Sequence, residues 1–141
     1  MARVLGVDVG TVRTGLALSD PDGVVATPLA TIDAAAEPTE VADQVVAAAH
    51  EHCCTHIVLG LPRSMSGRDT ASAARVRAIA GVLRERGLHV SLWDERLSSA
   101  EAERALLQAG RRRAQRRVER DRVAAAIILQ GWLDAQPTTR K

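Results

Sequence analysis

Apolar residues in this chain fall in short runs separated by turn-forming residues, and their spacing changes from one run to the next. Val4 to Val9 is nearly continuous in β-forming residues, and Thr14 to Ser19 is a second such run. Gly10 and Gly15 frame the turn between them, so the two runs are predicted to form a hairpin. Pro21, Asp22 and Gly23 mark the next turn. Val24 to Ile32 reads as a third strand, and Pro28 within it calls for an edge position because proline has no N–H to give to a ladder.

The period then switches. Pro38 suits a helix start, and Val41, Val45 and Ala49 at helical spacing predict a helix to about His52. Thr55 to Gly60 is a buried strand. Asp69 or Thr70 caps a helix whose apolar positions are Val76, Ala80 and Leu83 and which ends before Gly87. His89 to Trp93 is the fifth strand. Ser98 with Glu101 three residues later reads as a capping box for a helix to about Ala109, and Asp121 to Ala135 is the last helix. A three-stranded start followed by helix-linked strands predicts an α/β fold. Its mixed five-stranded sheet has antiparallel first three strands and then parallel ones, with helices on its faces. Residues 1–136 are expected to be one domain and 137–141 a disordered tail.

Composition narrows the setting. At 141 residues and 46% hydrophobic, the chain can bury a core, which with no Phe or Tyr is built from Val, Leu, Ile and Ala. No run reaches the roughly 18 uncharged apolar residues of a membrane span, and no signal-peptide pattern opens the chain, so a soluble cytoplasmic protein without membrane contact is expected. Cys53 and Cys54 are adjacent and do not make a disulfide scaffold. HEHCCTH, His50 to His56, looks like a zinc cluster, but it straddles a helix end and a buried strand, where its side chains are expected to diverge.

Charge is unevenly placed. Residues 1–60 carry two bases and eight acids, whereas residues 61–141 carry 17 bases and nine acids. The densest basic piece, RRRAQRRVERDR, contains Arg111, Arg112, Arg113, Arg116 and Arg117 and points to a phosphate-rich partner. With only Trp93 and Trp132, stacking of unpaired bases on aromatic platforms is a poor option.

Against this background three acidic positions stand out. Asp8 interrupts an apolar strand that is expected to be covered on both faces, so its carboxylate needs compensation from hydrogen bonds, a salt bridge or a cation. Gly10 allows a phosphate or metal close to its backbone, Thr11 adds a hydroxyl, and Arg13 in the same turn is a phosphate candidate. Asp121 shares the stripe of Ala125, Ile128 and Trp132 and therefore faces the core. Asp94 and Glu95 end the fifth strand, where open α/β sheets place ligands, and alternation does not decide which of them points at Asp8. Carboxylates from three segments beside a basic surface are what a magnesium site for phosphodiester chemistry requires. Arg63 and Arg68, in the loop after the fourth strand, are further candidates for phosphate contact.

DVGTVRTG, GLPRSMSG, DERLSSAEA and DRVAAAIILQGWL, in that order, resemble the YqgF/RuvX family over nearly the whole chain. The resemblance implies an RNase H-like fold and a metal-dependent nuclease using Mg2+ or Mn2+. Asp8, Glu95 and Asp121 match the acidic motif positions, with Asp94 as an additional ligand. It implies action at the 5′ end of pre-16S ribosomal RNA, or alternatively on Holliday junctions, with a nucleic acid as partner and a homodimer left open. The chain departs from the family pattern at Ser64, where Asn is common, and at Glu119, where Lys is frequent. Known junction resolvases end their fourth strand with an acid, whereas this one ends in Gly60, Leu61 and Pro62. D-x-G-T also resembles the phosphate loop of the actin and sugar-kinase fold, but those enzymes clamp ATP between two such domains. The remaining rival is a non-catalytic RNA-binding assembly factor.

Overall fold

The computed structural model describes residues 3–10, 13–33, 37–62, 70–95 and 113–136, with the backbone alone for 113–122. Five strands form one sheet in the order β3-β2-β1-β4-β5. These are β1 (Arg3–Val9), β2 (Arg13–Ser19), β3 (Ala26–Asp33), β4 (Cys54–Leu61) and β5 (His89–Asp94). β1 pairs antiparallel with β2, and β2 with β3, while β1 with β4 and β4 with β5 are parallel. Three described helices accompany them: α1 (Pro38–Glu51), α2 (Ala71–Glu85) and α3 (Arg113–Ala135). The mixed sheet predicted from the sequence is thus the sheet found, and β1, the strand carrying Asp8, is its centre.

Each face of the sheet has its own core. Leu5 and Val7 of β1, Leu16 of β2 and Ile57, Leu59 and Leu61 of β4 pack with Val41, Val45 and Ala49 of α1 and Val76, Ile79 and Leu83 of α2. On the other face Ala17 and Val58 pack with Ala125, Ile128, Leu129 and Leu133 of α3, flanked by Val4 and Trp93. The stripe read from Asp121 through Ala125, Ile128 and Trp132 is therefore the sheet-facing side of α3 where its side chains are described.

Local chemistry sets the boundaries. Thr70, rather than the undescribed Asp69, caps α2 by accepting from the Ala73 N–H at 3.1 Å. The helix ends in a left-handed Gly87 at φ 87°, with the Leu88 N–H returning to the Leu83 carbonyl at 3.2 Å. β3 begins two residues later than predicted. The Asp20 carboxylate takes the N–H groups of Val24 and Val25 at 2.7 and 2.9 Å, holding both in the turn, and these bonds keep its pKa below the ordinary value. Pro28 lies on the edge strand as expected, beside a register shift opposite Leu16 and Ala17.

The last helix is the main correction. It starts at Arg113 and not at Asp121, because the arginines, Gln115 and Glu119 are good helix formers and no Gly or Pro interrupts them. Asp121 consequently lies two turns inside α3, where a first-turn dipole effect does not apply. The helix predicted for residues 98–109 and the tail 137–141 lie outside the described residues. No described helix is long and apolar enough to cross a membrane.

At the far end of the sheet α3 is pinned through His56. Its ring packs on Trp132 at 4.7 Å between centroids, and its Nε2 lies 2.8 Å from Ser91 Oγ. Burial, reinforced by His89, pushes the His56 pKa down. The unfolded chain then takes up the proton first. Stability is fully present above the unfolded value, about 6.5, and is lost as the pH falls from there toward the folded value. Urea unfolding between pH 5 and 8 should show this loss, and His56→Gln should make it shallower; an unchanged slope would mean that another group titrates.

Two glycines give opposite predictions. A β-carbon on Gly6 would lie 2.7 Å from Leu129 Cβ and 3.0 Å from the Ala125 carbonyl oxygen, so Gly6→Ala should cost on the order of 1–3 kcal/mol. Gly81, exposed on α2 with nothing within 4 Å of its would-be β-carbon, should accept alanine with a gain of roughly 0.5–1 kcal/mol. Denaturant titration of the two variants checks both signs.

Candidate active site

Strand alternation decides where Asp8 points. Leu5 and Val7 face α1 and α2, Gly6 faces α3, and Asp8 therefore projects toward α3 at the carboxyl end of the central strand. Its direct partner on β2 is Gly15. On the other side the parallel register, with Val7 beside Leu59, brings Gly60 next to Asp8. The half-buried carboxylate is thus bordered on both neighbouring strands by residues without side chains. Gly15 lies inside β2, within the strand read from the sequence, and puts no side chain beside Asp8.

The same alternation separates Asp94 from Glu95. Leu92 packs in the α1/α2 core and Trp93 on the α3 side, so Asp94 turns back toward the α1/α2 side. Glu95 follows on the α3 side. Its Oε1 lies 2.9 Å, and its Cγ 3.2 Å, from the place a β-carbon on Gly60 would occupy. Glu95, not Asp94, therefore reaches across β4 toward Asp8.

Asp121 enters from above. α3 runs opposite to β4: Trp132 packs on His56 near the start of that strand, and Ile128, one turn earlier in the helix, packs on Gly60 near its end. The Ala125 carbonyl lies over Gly6. Asp121 precedes Ala125 by one turn, about 6 Å, and Asp8 follows Gly6 by two strand residues, about 7 Å. The backbone of Asp121 is thereby carried to the level of Asp8.

The β1–β2 hairpin closes with the Gly10 N–H donating to the Arg13 carbonyl at 3.0 Å. A β-carbon on Gly10 would collide with that same oxygen, so the turn itself demands the glycine. Arg13 lies two residues before Gly15 and on the same face as Asp8. Arg113, Arg116 and Arg117 occupy the first turns of α3, on the way to Asp121. Thr11, Arg63, Arg68, Arg111 and Arg112 lie outside the described residues.

The cysteine and histidine segment spreads apart. Cys53 is exposed at a left-handed φ of 59°, whereas Cys54 is buried with its thiol pushed up to about 11. The register shift between Arg3 and Val4 sends His56 to the α3 face, away from Cys54. Among the described residues no group of three His, Cys, Asp or Glu side chains gathers to hold a metal ion. The side chain of Asp121 is not among them.

Comparison with known proteins places this geometry. The family described as "RuvX: Holliday junction resolvase" matches residues 2–135. A Myxococcus xanthus protein named "Putative pre-16S rRNA nuclease" is 44% identical over 134 residues, covering 94% of this chain and 88% of that one. A protein of the same name from Pelotomaculum thermopropionicum is 40% identical over 140 residues, covering 99% and 91%. Among solved structures, T. thermophilus RuvC in complex with a Holliday junction substrate aligns with a TM-score of 0.54 at 17% identity, covering 95% of this chain and 96% of that one. The yeast mitochondrial Holliday junction resolvase Ydc2 aligns with a TM-score of 0.51 at 15% identity, covering 94% and 78%. At such identities these two likenesses concern the fold, which is RNase H-like. With the family match spanning nearly its whole length and relatives at 40% identity or more, this chain belongs to the RuvX family.

Proposed function

We propose that this chain is a metal-dependent nuclease that hydrolyses phosphodiester bonds at the 5′ end of pre-16S ribosomal RNA in the cytoplasm. The observation that carries the reading is the meeting of Asp8 and Glu95 on one sheet face, beside two glycines and under the helix that holds Asp121. The names of the relatives supply the substrate class.

The donor set suits a hard divalent cation. Carboxylate oxygens are the ligands that Mg2+ and Mn2+ prefer, and Gly15 and Gly60 put no side chain between Asp8 and its neighbours on β2 and β4. Asp8, Glu95 and Asp121 are the residues that would hold it, and Asp94 faces the other way. Bound there, the ion supplies a Lewis acid that activates water and offsets charge on the leaving oxygen.

The chain's own residues do the rest. The carboxylates fix where positive charge gathers, and Gly10, Thr11 and Arg13 border the phosphate that reacts. Arg111, Arg112, Arg113, Arg116 and Arg117 hold the flanking strand through its phosphates, with Arg63 and Arg68 on the loop after β4. Such contacts position a backbone without reading sequence. A second reading, Holliday-junction resolution, is favoured by the description of the matching family. It changes the substrate and leaves the chemistry the same.

The test is a set of three substitutions assayed on a pre-16S leader RNA and on a four-way DNA junction. Asp8→Asn and Glu95→Gln should each lower kcat by on the order of 10²-fold or more, the scale on which loss of one charge-stabilising group registers. Asp94→Asn should cost less than about tenfold by the same measure. Thermal unfolding should show all three folded. Full activity in Asp8→Asn would remove the nuclease assignment, and preferential cleavage of the junction would replace RNA by DNA as the substrate.

A further inference from the structure

We infer that Gly60 is a positioning residue: its missing side chain is the seat in which the Glu95 carboxylate rests, with Ile128 of α3 as the opposing wall. The inference rests on the proposed role of Glu95. Gly60 is buried near the end of β4, and it is not among the residues with positive φ, so its backbone conformation is open to any amino acid. Glycine in the interior of a strand weakens it and therefore calls for a steric reason. The reason is visible in what a β-carbon would meet: Ile128 Cδ1 at 2.5 Å, Glu95 Oε1 at 2.9 Å and Glu95 Cγ at 3.2 Å.

The neighbouring glycines differ from it. Gly6 faces only α3, and Gly10 faces only its own hairpin. The empty side of Gly60 touches both the docked helix and a site carboxylate. Glu95 stands just beyond the end of β5, on a long side chain with several rotatable bonds. Glu95 and Ile128 Cδ1 share the space that a side chain at position 60 would take, on the side of the sheet where Asp8 lies. The volume of one methyl group at position 60 thus controls where the carboxylate sits and, through Ile128, ties that position to the docking of α3.

The test is Mn2+ binding to the full chain, measured calorimetrically with the metal alone. Ile128→Val removes the Cδ1 atom, and with it the clash a β-carbon at position 60 would meet in α3, and its Mn2+ affinity is the reference for the double variant. Adding Gly60→Ala to it then sets a methyl group against Glu95 only, and should weaken binding at least about tenfold while the protein remains folded by circular dichroism. In a Glu95→Gln background the same Gly60→Ala change should have no further effect, because its action passes through the carboxylate. A further loss there would reveal a merely structural role and overturn the proposal. Glu95→Asp withdraws the carboxylate from the seat without disturbing α3, and serves even if the alanine variant fails to fold. It should weaken Mn2+ binding comparably, and unchanged affinity would also overturn the seat. Glu95→Gln inactive in cleavage with Gly60→Ala neutral in binding would remove the seat alone; Glu95→Gln with full activity and Mn2+ affinity would remove both readings.

Discussion

The close approach of α3 to β1 and β4 is the constraint on which the acidic end of the sheet depends. Leu129 and the Ala125 carbonyl lie against Gly6, and Ile128 lies against Gly60, at separations that leave no room for a β-carbon on either strand. Burying Ile128, Leu129 and Leu133 supplies the driving force, roughly 1.5–3 kcal/mol for each side chain fully removed from water. The glycines turn that force into proximity. A helix held one side chain further out would carry the backbone of Asp121 away from the end of β1 that holds Asp8.

Proximity has an electrostatic cost. Carboxylates gathered in a half-buried space repel one another, and desolvation penalises each charged form. Asp8 and Glu95 lie at one end of the sheet, while the two cores behind it are apolar and closely packed. A cation would relieve both penalties at once, which is the physical basis of the proposed metal site. Arg113, Arg116 and Arg117 lie on the helix that also carries Asp121, so in the proposed function a polyanion drawn to them would be brought toward the carboxylates.

Much of this was legible in the sequence because it depends on period and punctuation. The five strands, the edge position of Pro28, the cap at Thr70 and the sheet-facing stripe of the last helix all follow from local rules. What local rules missed has a common cause in tertiary or side-chain competition. The start of β3 moved because the Asp20 carboxylate captured two backbone donors. α3 began earlier because charged residues that read as a surface segment are also good helix formers. The choice between Asp94 and Glu95 required the pleat to be traced past Trp93 to the α3 face. Gly15 and Gly60 were the least visible, since a glycine within a strand is silent until its neighbours across the sheet are known. Their only local signal was a residue poorly suited to a strand placed in one.

The central claim is that the carboxylates act through a divalent cation on a phosphodiester bond. Cleavage of a labelled pre-16S leader RNA by the purified chain, stripped of metal and then titrated with Mg2+, tests it most directly. Cleavage should be absent after chelation, should recover on adding Mg2+ or Mn2+, and should give products ending in 5′-phosphate and 3′-hydroxyl groups. Cleavage that persists at the same rate in chelator, or products ending in a 2′,3′-cyclic phosphate, would contradict it.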